Sequence, residues 1–303
     1  MELKPINQKK LYGLKRSFNE LMNLYNKNNL PSKILLSGSK GIGKCTLAYH
    51  IINYILSYDE EHNYGVDDLS INPFNKSYVL VNKNTHPNFY LIDVQKEKKN
   101  IDINQIRKLI EYTNKSTFNN KPRFILIDNI ELLNINSINA LLKVLEEPGI
   151  NIYFILINNN KKILPSLKSR CLNFRIDLTF NEIIQITNKI LNLDISSTIN
   201  NEFINYYNTP RDYCNLIDYS NKHEIDLNNI TVSDFLNDLI NSNKYKKDSF
   251  LKELIFKYIE IFFLLKINKT HSKSKILTLY NKFINKINYS KKFNLDEESL
   301  FLE

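Results

Sequence analysis

The sequence predicts an α/β protein built around a parallel sheet in its first half and a helical second half. Short β-rich runs alternate with helical periods in the first half, which is the pattern of βαβ units. Three of the six glycines, Gly38, Gly41 and Gly43, fall within six residues, so the backbone there is expected to turn tightly or approach a ligand. No glycine follows Gly149 and no proline follows Pro210, so the last third is expected to contain helices with few sharp turns.

The expected strands and the clearest helix follow from apolar patterning. Five short apolar runs are predicted to be buried strands: Lys33–Ser37, Phe89–Val94, Arg123–Asp128, Asn151–Asn158 and Leu172–Ile176. Asn136–Glu147 is predicted to be a helix, because apolar residues recur on one face at three- and four-residue spacing. Pro148 and Gly149 are expected to end it.

The later part of the chain predicts a small helical unit over 178–222 and then two amphipathic helices. The apolar stripe of the first runs from Phe250 to Leu265, and that of the second from Ile276 to Ile287. We expect both stripes to be core. Between Lys266 and Lys292 there are eight lysines and no acid, so the outer face of this region carries charge of one sign.

Length and composition indicate a globular protein of about two domains, with 303 residues of which 43% are hydrophobic. Cys45, Cys171 and Cys214 lie far apart and form no CxxC pair, which excludes a disulfide framework and a four-cysteine zinc module. Few cysteines also fit a reducing cytosol, so a cytoplasmic location is expected. The net charge of +9 leaves two interpretations open, a lysine-rich solvated surface or a surface that faces a polyanion.

Neither a membrane span nor a secretory signal is expected. The most apolar stretch, residues 250–269, is interrupted by charged residues, namely Lys252, Glu253, Lys257 and Glu260. The first residues of the chain contain no apolar run of the kind that a signal peptide requires.

The segment Gly38–Thr46 predicts a phosphate-binding loop. An apolar strand precedes it and a helical pattern follows it, which is the context that a P-loop requires. Backbone N–H groups of such a loop hold phosphate oxygens, and Lys44 supplies a positive charge. The predicted nucleotide-binding residues in this segment are therefore Gly38, Gly41, Gly43, Lys44, Cys45 and Thr46.

Cys45 stands where a P-loop normally has a Ser or Thr hydroxyl that ligates Mg²⁺. A thiol is a soft ligand and Mg²⁺ prefers oxygen, so this metal ligand is expected to be lost. Thr46 does not replace it, because one residue along a helix turns the side chain by about 100°. Nucleotide binding is expected to survive this change better than hydrolysis.

The strand Arg123–Asp128 ends in an acid, as a Walker B strand does, and Asp128 is predicted to lie near the metal position. An active ATPase of this type normally has Glu at the next position to polarise the attacking water. Here that residue is Asn129, whose amide does not accept a proton. Glu131 would share a face with Asn129 if the segment were extended, and its rescue of activity stays an open alternative.

Two further motifs are Asn139–Pro148, reading NALLKVLEEP, and Ser169-Arg170-Cys171. The first is similar to the hallmark helix, and the second to the SRC motif, of the gamma/tau and delta-prime subunits of the bacterial DNA polymerase III clamp loader. The chain resembles this group, with delta-prime the better match. Three further blocks are also similar: His86–Asn88, Ile103–Arg107 and Phe293–Asp296.

The resemblance implies an AAA+ P-loop domain at 1–177, with helices on both faces of its parallel sheet. It further implies a small helical lid at 178–225 and an all-α collar at 226–303 that joins a pentameric ring with the gamma/tau and delta subunits. The other implied partners are the sliding clamp and primer–template DNA. ATP or ADP bound without turnover is the implied cofactor; the family's four-cysteine zinc module is missing, so no metal is expected.

The resemblance also implies roles for individual residues. Arg170 would act in trans as an arginine finger on the ATP of the adjacent subunit, which suits a planar and permanently charged guanidinium. Arg211 resembles the sensor-2 position of the lid, and Asn158, with Asn159 beside it, stands at the sensor-1 strand end. A structural salt bridge remains the alternative for Arg170, as a surface position does for Arg211.

The predicted function is therefore a delta-prime-like, largely non-hydrolysing stator that helps load the sliding clamp on primed DNA. It would be an accessory subunit of a DNA polymerase rather than an ATPase. Two alternatives stay open: a gamma/tau-like motor subunit that hydrolyses ATP, and a stand-alone basic DNA-binding protein.

Overall fold

The computed structural model describes residues 4–95, 98–115, 119–246, 249–269 and 273–293. It divides into two compact units. The first comprises Met1–Leu191 with Thr209–Asn215, and the second comprises Asn192–Asn208 with Leu216–Glu303. The finer division of the chain into a P-loop domain, a lid and a collar stays a prediction.

A five-stranded parallel sheet forms the centre of the first unit. Its strands are β1 (Lys33–Ser37), β2 (Phe89–Ile92), β3 (Arg123–Ile127), β4 (Ile152–Asn158) and β5 (Leu172–Arg175). They lie in the order β2-β3-β4-β1-β5, and each adjacent pair is parallel. The predicted fold class is confirmed, and each predicted strand is present with ends shifted by two residues at most.

Helices cover both faces of this sheet because successive strand residues point to opposite sides. Ile34 and Leu36 of β1 pack into one core and Leu35 packs into the other. The first face carries α1 (Lys15–Asn26), α2 (Lys44–Leu56) and α3 (Lys76–Asn82). The second face carries α4 (Ile103–Asn114), α5 (Ile135–Glu146) and α6 (Pro165–Lys168).

The hallmark helix is α5, and its boundaries follow from its ends. The Asn134 side chain caps its start by accepting a hydrogen bond from the Ser137 backbone N–H. Leu141 and Leu145 are fully buried, as their spacing predicts. The helix ends at Glu146, just before the Pro148-Gly149 pair.

The carboxyl ends of the strands bring the candidate site together. In this sheet β2, β3, β4 and β1 are successive neighbours, so the segments that follow them meet at one edge. The first unit is completed by α7 (Phe180–Leu191) and by the start of α9 (Pro210–His223).

The second unit is helical in its described residues. It contains α8 (Ile195–Thr198), most of α9, and then α10 (Val232–Asn241), α11 (Ser249–Lys269) and α12 (Lys273–Phe293). Both predicted long helices are present, but the expectation that both apolar stripes are core is confirmed mainly for α11, where Leu251, Leu254, Ile255 and Tyr258 are buried. In the α12 stripe Ile287 is buried, whereas Leu277 is 45% exposed. The part of the similar block Phe293–Asp296 that follows Phe293 lies outside the described residues.

An aromatic cluster forms the core of the second unit. The rings of Phe203, Phe235 and Tyr258 meet edge to face, with centroids 5.3 to 5.5 Å apart. All three side chains are fully buried or nearly so. Among the described residues, no helix has the length and apolar character needed to cross a membrane.

Candidate functional site

The predicted phosphate loop lies between β1 and α2. Gly41 has φ +92°, and a Cβ there would approach Thr209 Oγ1 to 2.5 Å and Arg211 Cβ to 2.8 Å. A Cβ on Gly38 would approach the Ile176 carbonyl oxygen to 2.3 Å. Gly43, with φ +98°, is the N-cap of α2, so the free backbone N–H groups at the start of this helix face the loop. The loop is therefore packed too closely to accept side chains at Gly38 and Gly41, and a side chain at Gly43 would be strained by its positive φ.

Lys44 is buried inside the loop and its ammonium group has three oxygen partners. Its Nζ donates to the backbone oxygens of Gly38 at 3.0 Å and Ser39 at 2.7 Å, and to Asn159 Oδ1 at 2.9 Å. Burial lowers the pKa of Lys44 to about 8, against the opposing effects of Asp128 and Glu131. The group therefore remains mainly a cation at neutral pH.

Cys45 and Asp128 are hydrogen-bonded to each other. The thiol donates to the carboxylate, and burial together with this carboxylate raises the pKa of Cys45 above its ordinary value. Burial and the charge of Asp93 raise the pKa of Asp128 to about 6, despite the bond from Cys45. The position of the usual hydroxyl ligand thus holds a protonated thiol directed at the Walker B acid. Thr46 follows in α2 and is half-buried.

Asn129 and Glu131 are joined through Asn159. Asn159 Nδ2 donates to Asn129 Oδ1 and to Glu131 Oε1, both at 2.8 Å. The expectation of an extended segment after the Walker B strand is wrong. The backbone of Asn129 adopts the left-handed conformation, with φ 56°, and Glu131 lies in the 3-10 turn that follows it. This turn, rather than strand alternation, brings the Glu131 carboxylate to the same asparagine.

Asp93 is a site residue that the sequence analysis did not identify. It follows β2, the neighbour of β3, and its Oδ1 accepts a hydrogen bond from Asn129 Nδ2 at 2.9 Å. Its negative charge is a cause of the raised pKa values of both Asp128 and Cys45. The available signal was an acid near the carboxyl end of the predicted strand Phe89–Val94, because parallel strands bring such residues to one edge of the sheet.

Asn158 and Asn159 have different surroundings at the end of β4. The Asn158 side chain is buried and bonds both the N–H and the carbonyl oxygen of Lys161, so it stabilises its own turn. Asn159 is the residue that contacts Lys44 and the segment after β3. The structure therefore brings Asn159, rather than Asn158, to the loop lysine.

Arg211 lies in the first turn of α9, beside the phosphate loop. Thr209 starts this turn, with its N–H and hydroxyl both bonded to Asp212 Oδ2 at 2.8 and 2.7 Å. The same turn places the Arg211 Cβ against Gly41, and the Arg211 side chain is exposed. Arg211 is therefore adjacent to the loop, as its predicted nucleotide-binding position requires.

Arg170 is placed at the opposite end of the sheet from the loop. It lies two residues before the start of β5, where Leu172 is the register partner of Ile34. Its guanidinium donates to the Ser166 carbonyl oxygen at 2.9 Å and forms an ion pair with Glu146. The structure does not bring Arg170 together with the other predicted site residues.

The arrangement around the loop fits the phosphates of a nucleotide but not a normally ligated Mg²⁺. Helix N-terminal N–H groups and the Lys44 ammonium supply positive groups for phosphate oxygens. The soft thiol of Cys45 does not supply the oxygen that Mg²⁺ prefers. Among the residues that the structure describes, no group of three or more His, Cys, Asp or Glu residues could hold a metal ion.

Comparison with known proteins identifies the family. The family model described as DNA polymerase III, delta subunit, matches residues 13–179, which is more than half of the chain. The chain belongs to the DNA polymerase III delta subunit family. The match covers the sheet, the phosphate loop, the Walker B strand and the hallmark helix.

Several curated DNA polymerase III subunits are similar in sequence to this chain. The delta-prime subunit of Pseudomonas aeruginosa is 30% identical over 138 residues, or 45% of this chain and 40% of that protein. The gamma subunit of Buchnera aphidicola is 32% identical over 183 residues, or 59% of this chain and 47% of that protein. The chain thus spans about half or less of the length of these curated relatives.

A solved structure is also similar along most of the chain. It is a gamma subunit-related protein of DNA polymerase III from Thermotoga maritima, with 15% identity and a TM-score of 0.47. The match covers 95% of both chains.

Proposed function

We propose that this chain is a delta-prime-like clamp-loader subunit, a stator that binds nucleotide without turning it over. The observation that carries the proposal is the pairing of the Cys45 thiol with Asp128 at the position where Mg²⁺ would be ligated. Membership of the family supports the clamp-loader assignment.

The residue after the Walker B acid also argues against hydrolysis. Asn129 Oδ1 accepts from Asn159, and Asn129 Nδ2 donates to Asp93. Both ends of the amide are thus engaged, and an amide has no basic site that could take the proton of an attacking water. The loop would hold ATP or ADP through Lys44 and its backbone N–H groups, with Arg211 beside it.

The position of Arg170 supports a role on another subunit. Leu172, two residues after Arg170, pairs with Ile34, and Gly38 follows Ile34 by four residues, so the start of β5 lies ~13 Å from the loop along the sheet. An arginine side chain does not span that distance. The charge of Arg170 is therefore available to a nucleotide held by a neighbour, but not to the nucleotide of its own chain.

The proposed partners follow from the family. The chain would join gamma/tau and delta subunits in a pentameric ring, and that assembly would act on the sliding clamp and on primer–template DNA in the cytoplasm. The helical second unit, with its long α11 and α12, would supply the ring contacts.

The test is the Arg170→Ala variant in a complex reconstituted with its gamma/tau and delta partners. We expect hydrolysis at the neighbouring site that receives Arg170 to slow by roughly 10³-fold or more, as for other arginine fingers, so the ATP turnover of the complex loses the contribution of that site. Arg175→Ala is the matched control, since Arg175 is an exposed arginine of β5 that pairs with Asp177. Unchanged turnover in the Arg170→Ala complex would refute the trans role.

One observation favours the second candidate, a gamma/tau-like motor. The Glu131 carboxylate is linked through Asn159 to the Lys44 ammonium, so an acid does lie close to the loop. A relative named as a gamma subunit is also as similar as the delta-prime relative. Measurable ATP turnover by the isolated chain would favour this motor.

A further inference from the structure

The guanidinium of Arg170 is held by two separate helices within its own chain. Nη2 forms the ion pair with Glu146, the last residue of α5, and Nη1 donates to the Ser166 carbonyl oxygen in α6 at 2.9 Å. The Ser169 hydroxyl donates to the same carbonyl oxygen at 3.2 Å. Leu167, almost completely buried, anchors α6 to the core. The orientation of the guanidinium is thus set by fixed elements.

Stability does not account for the Arg170–Glu146 pair. The two side chains remain 32% and 54% exposed, and an exposed ion pair adds little to the free energy of folding. A carboxylate in the last turn of a helix also faces the negative end of the helix dipole, which is unfavourable. The ammonium of Lys33 already donates to the Leu145 carbonyl oxygen at this helix end, at 3.0 Å.

We propose that Glu146 is a positioning residue for Arg170, which it orients toward the phosphate oxygens of a nucleotide held by a neighbouring subunit. This inference rests on the proposed trans role of Arg170. A guanidinium has five N–H donors in a fixed plane, and the two described contacts use two of them. With its plane fixed by α5 and α6, the guanidinium presents its other donors in a set direction.

The gain is preorganisation. A free arginine side chain samples many rotamers, and ordering it upon assembly costs conformational entropy. Glu146 and Ser166 restrict this freedom before the neighbour arrives, so less is lost when the guanidinium meets a phosphate. Glu146 accordingly affects turnover through Arg170 and makes no contact with the phosphate itself.

The test is a double-mutant cycle in the reconstituted complex, with ATP turnover as the readout. Glu146→Ala is expected to slow hydrolysis at the site that receives Arg170 roughly tenfold when Arg170 is present, and to have no effect when Arg170 is replaced by Ala. Glu146→Gln is expected to restore most of the loss, because its amide oxygen still accepts the Nη2–H bond. Glu147→Ala is the matched control, an exposed neighbour for which we expect unchanged turnover.

The outcomes separate this inference from the function on which it rests. Low turnover in Arg170→Ala with unchanged turnover in Glu146→Ala would overturn the positioning role alone. Unchanged turnover in Arg170→Ala would refute the trans role itself. An equal loss from Glu146→Ala with and without Arg170, or faster turnover in Glu146→Ala, would also overturn the positioning role. Thermal unfolding of each isolated variant checks that the fold is retained.

Discussion

At the scale of single residues, the chemistry of the loop depends on the pair formed by Cys45 and Asp128. The thiol donates a hydrogen bond to the carboxylate, and burial together with this carboxylate raises the pKa of Cys45. The same bond lowers the pKa of Asp128, but burial and the charge of Asp93 outweigh it. A serine hydroxyl in place of this thiol would offer oxygen to Mg²⁺. In the proposed function, the sulfur atom at position 45 is therefore the difference between a loop that binds phosphate alone and a loop that also ligates Mg²⁺.

The first prediction restores the two missing groups. Cys45→Ser together with Asn129→Glu should produce measurable ATP hydrolysis in the isolated chain, because it returns a hydroxyl ligand and a carboxylate that polarises water. Steady-state phosphate release is the measurement. Adding Lys44→Ala to this variant should abolish the gain, and no hydrolysis in the double variant would show that a further defect exists.

The second prediction concerns pH. Asp128 has a pKa of about 6 in the folded protein, whereas its ordinary value is 3.8. Between about pH 4 and 6 the unfolded chain therefore binds fewer protons than the folded one, and this residue lowers stability as pH rises. Asp128→Asn lacks this effect, so its stability relative to the natural chain should rise across that window by about 3 kcal/mol at most.

Urea unfolding of both proteins at several pH values measures this difference, because contributions from other groups are shared and cancel. Asp93→Asn is the companion variant. It removes the neighbouring charge and should move the Asp128 window to lower pH. A stability difference that is constant between pH 4 and 7 would contradict the assignment.

Only some of the residues in this site can be predicted from the sequence alone. Cys45 and Asn129 are visible as departures from a known spacing, so both were identified. Asp93 and Asn159 were not identified as a linked pair because their contacts depend on which strands are neighbours. Strand order follows from long-range packing, and the left-handed turn at Asn129 places Glu131 where strand alternation does not.

At the scale of elements, a buried asparagine, Asn75, joins α3 to α2 and to the segment before α3. Asn75 caps α3 by accepting from the Tyr78 N–H at 2.6 Å, and its Oδ1 also accepts from Asn53 Nδ2 at 2.9 Å. Asn75 Nδ2 donates to the His62 carbonyl oxygen at 2.6 Å. Apolar periodicity predicts strands and long helices well, but it does not reveal a polar side chain with several long-range partners.

The third prediction tests this polar cap. Asn75→Ala should lower the free energy of unfolding by about 3 kcal/mol, since the cap is lost and buried partners are left unsatisfied. Asn72→Ala is the control in the same loop, where the side chain accepts one bond from the Phe74 N–H, and a smaller loss is expected. Chemical denaturation measures both variants, and equal losses would contradict the role given to Asn75.

The fourth prediction is that a chelator leaves this region unchanged. EDTA should not alter the thermal unfolding midpoint, and elemental analysis should find no stoichiometric zinc, because the described network uses amides, carbonyl oxygens and N–H groups. A midpoint that falls with EDTA and recovers with zinc would show that the fold depends on metal.

At the scale of the whole molecule, the chain combines an α/β unit, which contains the parallel sheet and the predicted phosphate loop, with a helical unit. The family match covers residues 13–179, which leaves the helical unit as the less constrained part of the proposal. The parallel sheet and the two long helices were predictable from apolar periods. The division into two units was not, because the Thr209–Asn215 segment packs with the first unit despite its place in the sequence.

The central claim is that the loop keeps its phosphate-binding groups but lacks the groups that ligate magnesium and activate water. Steady-state ATP hydrolysis by the isolated chain, with excess Mg²⁺, tests this most directly. We predict a rate no higher than that of Lys44→Ala. Brisk hydrolysis that disappears in Lys44→Ala would contradict the claim and identify the chain as a motor subunit.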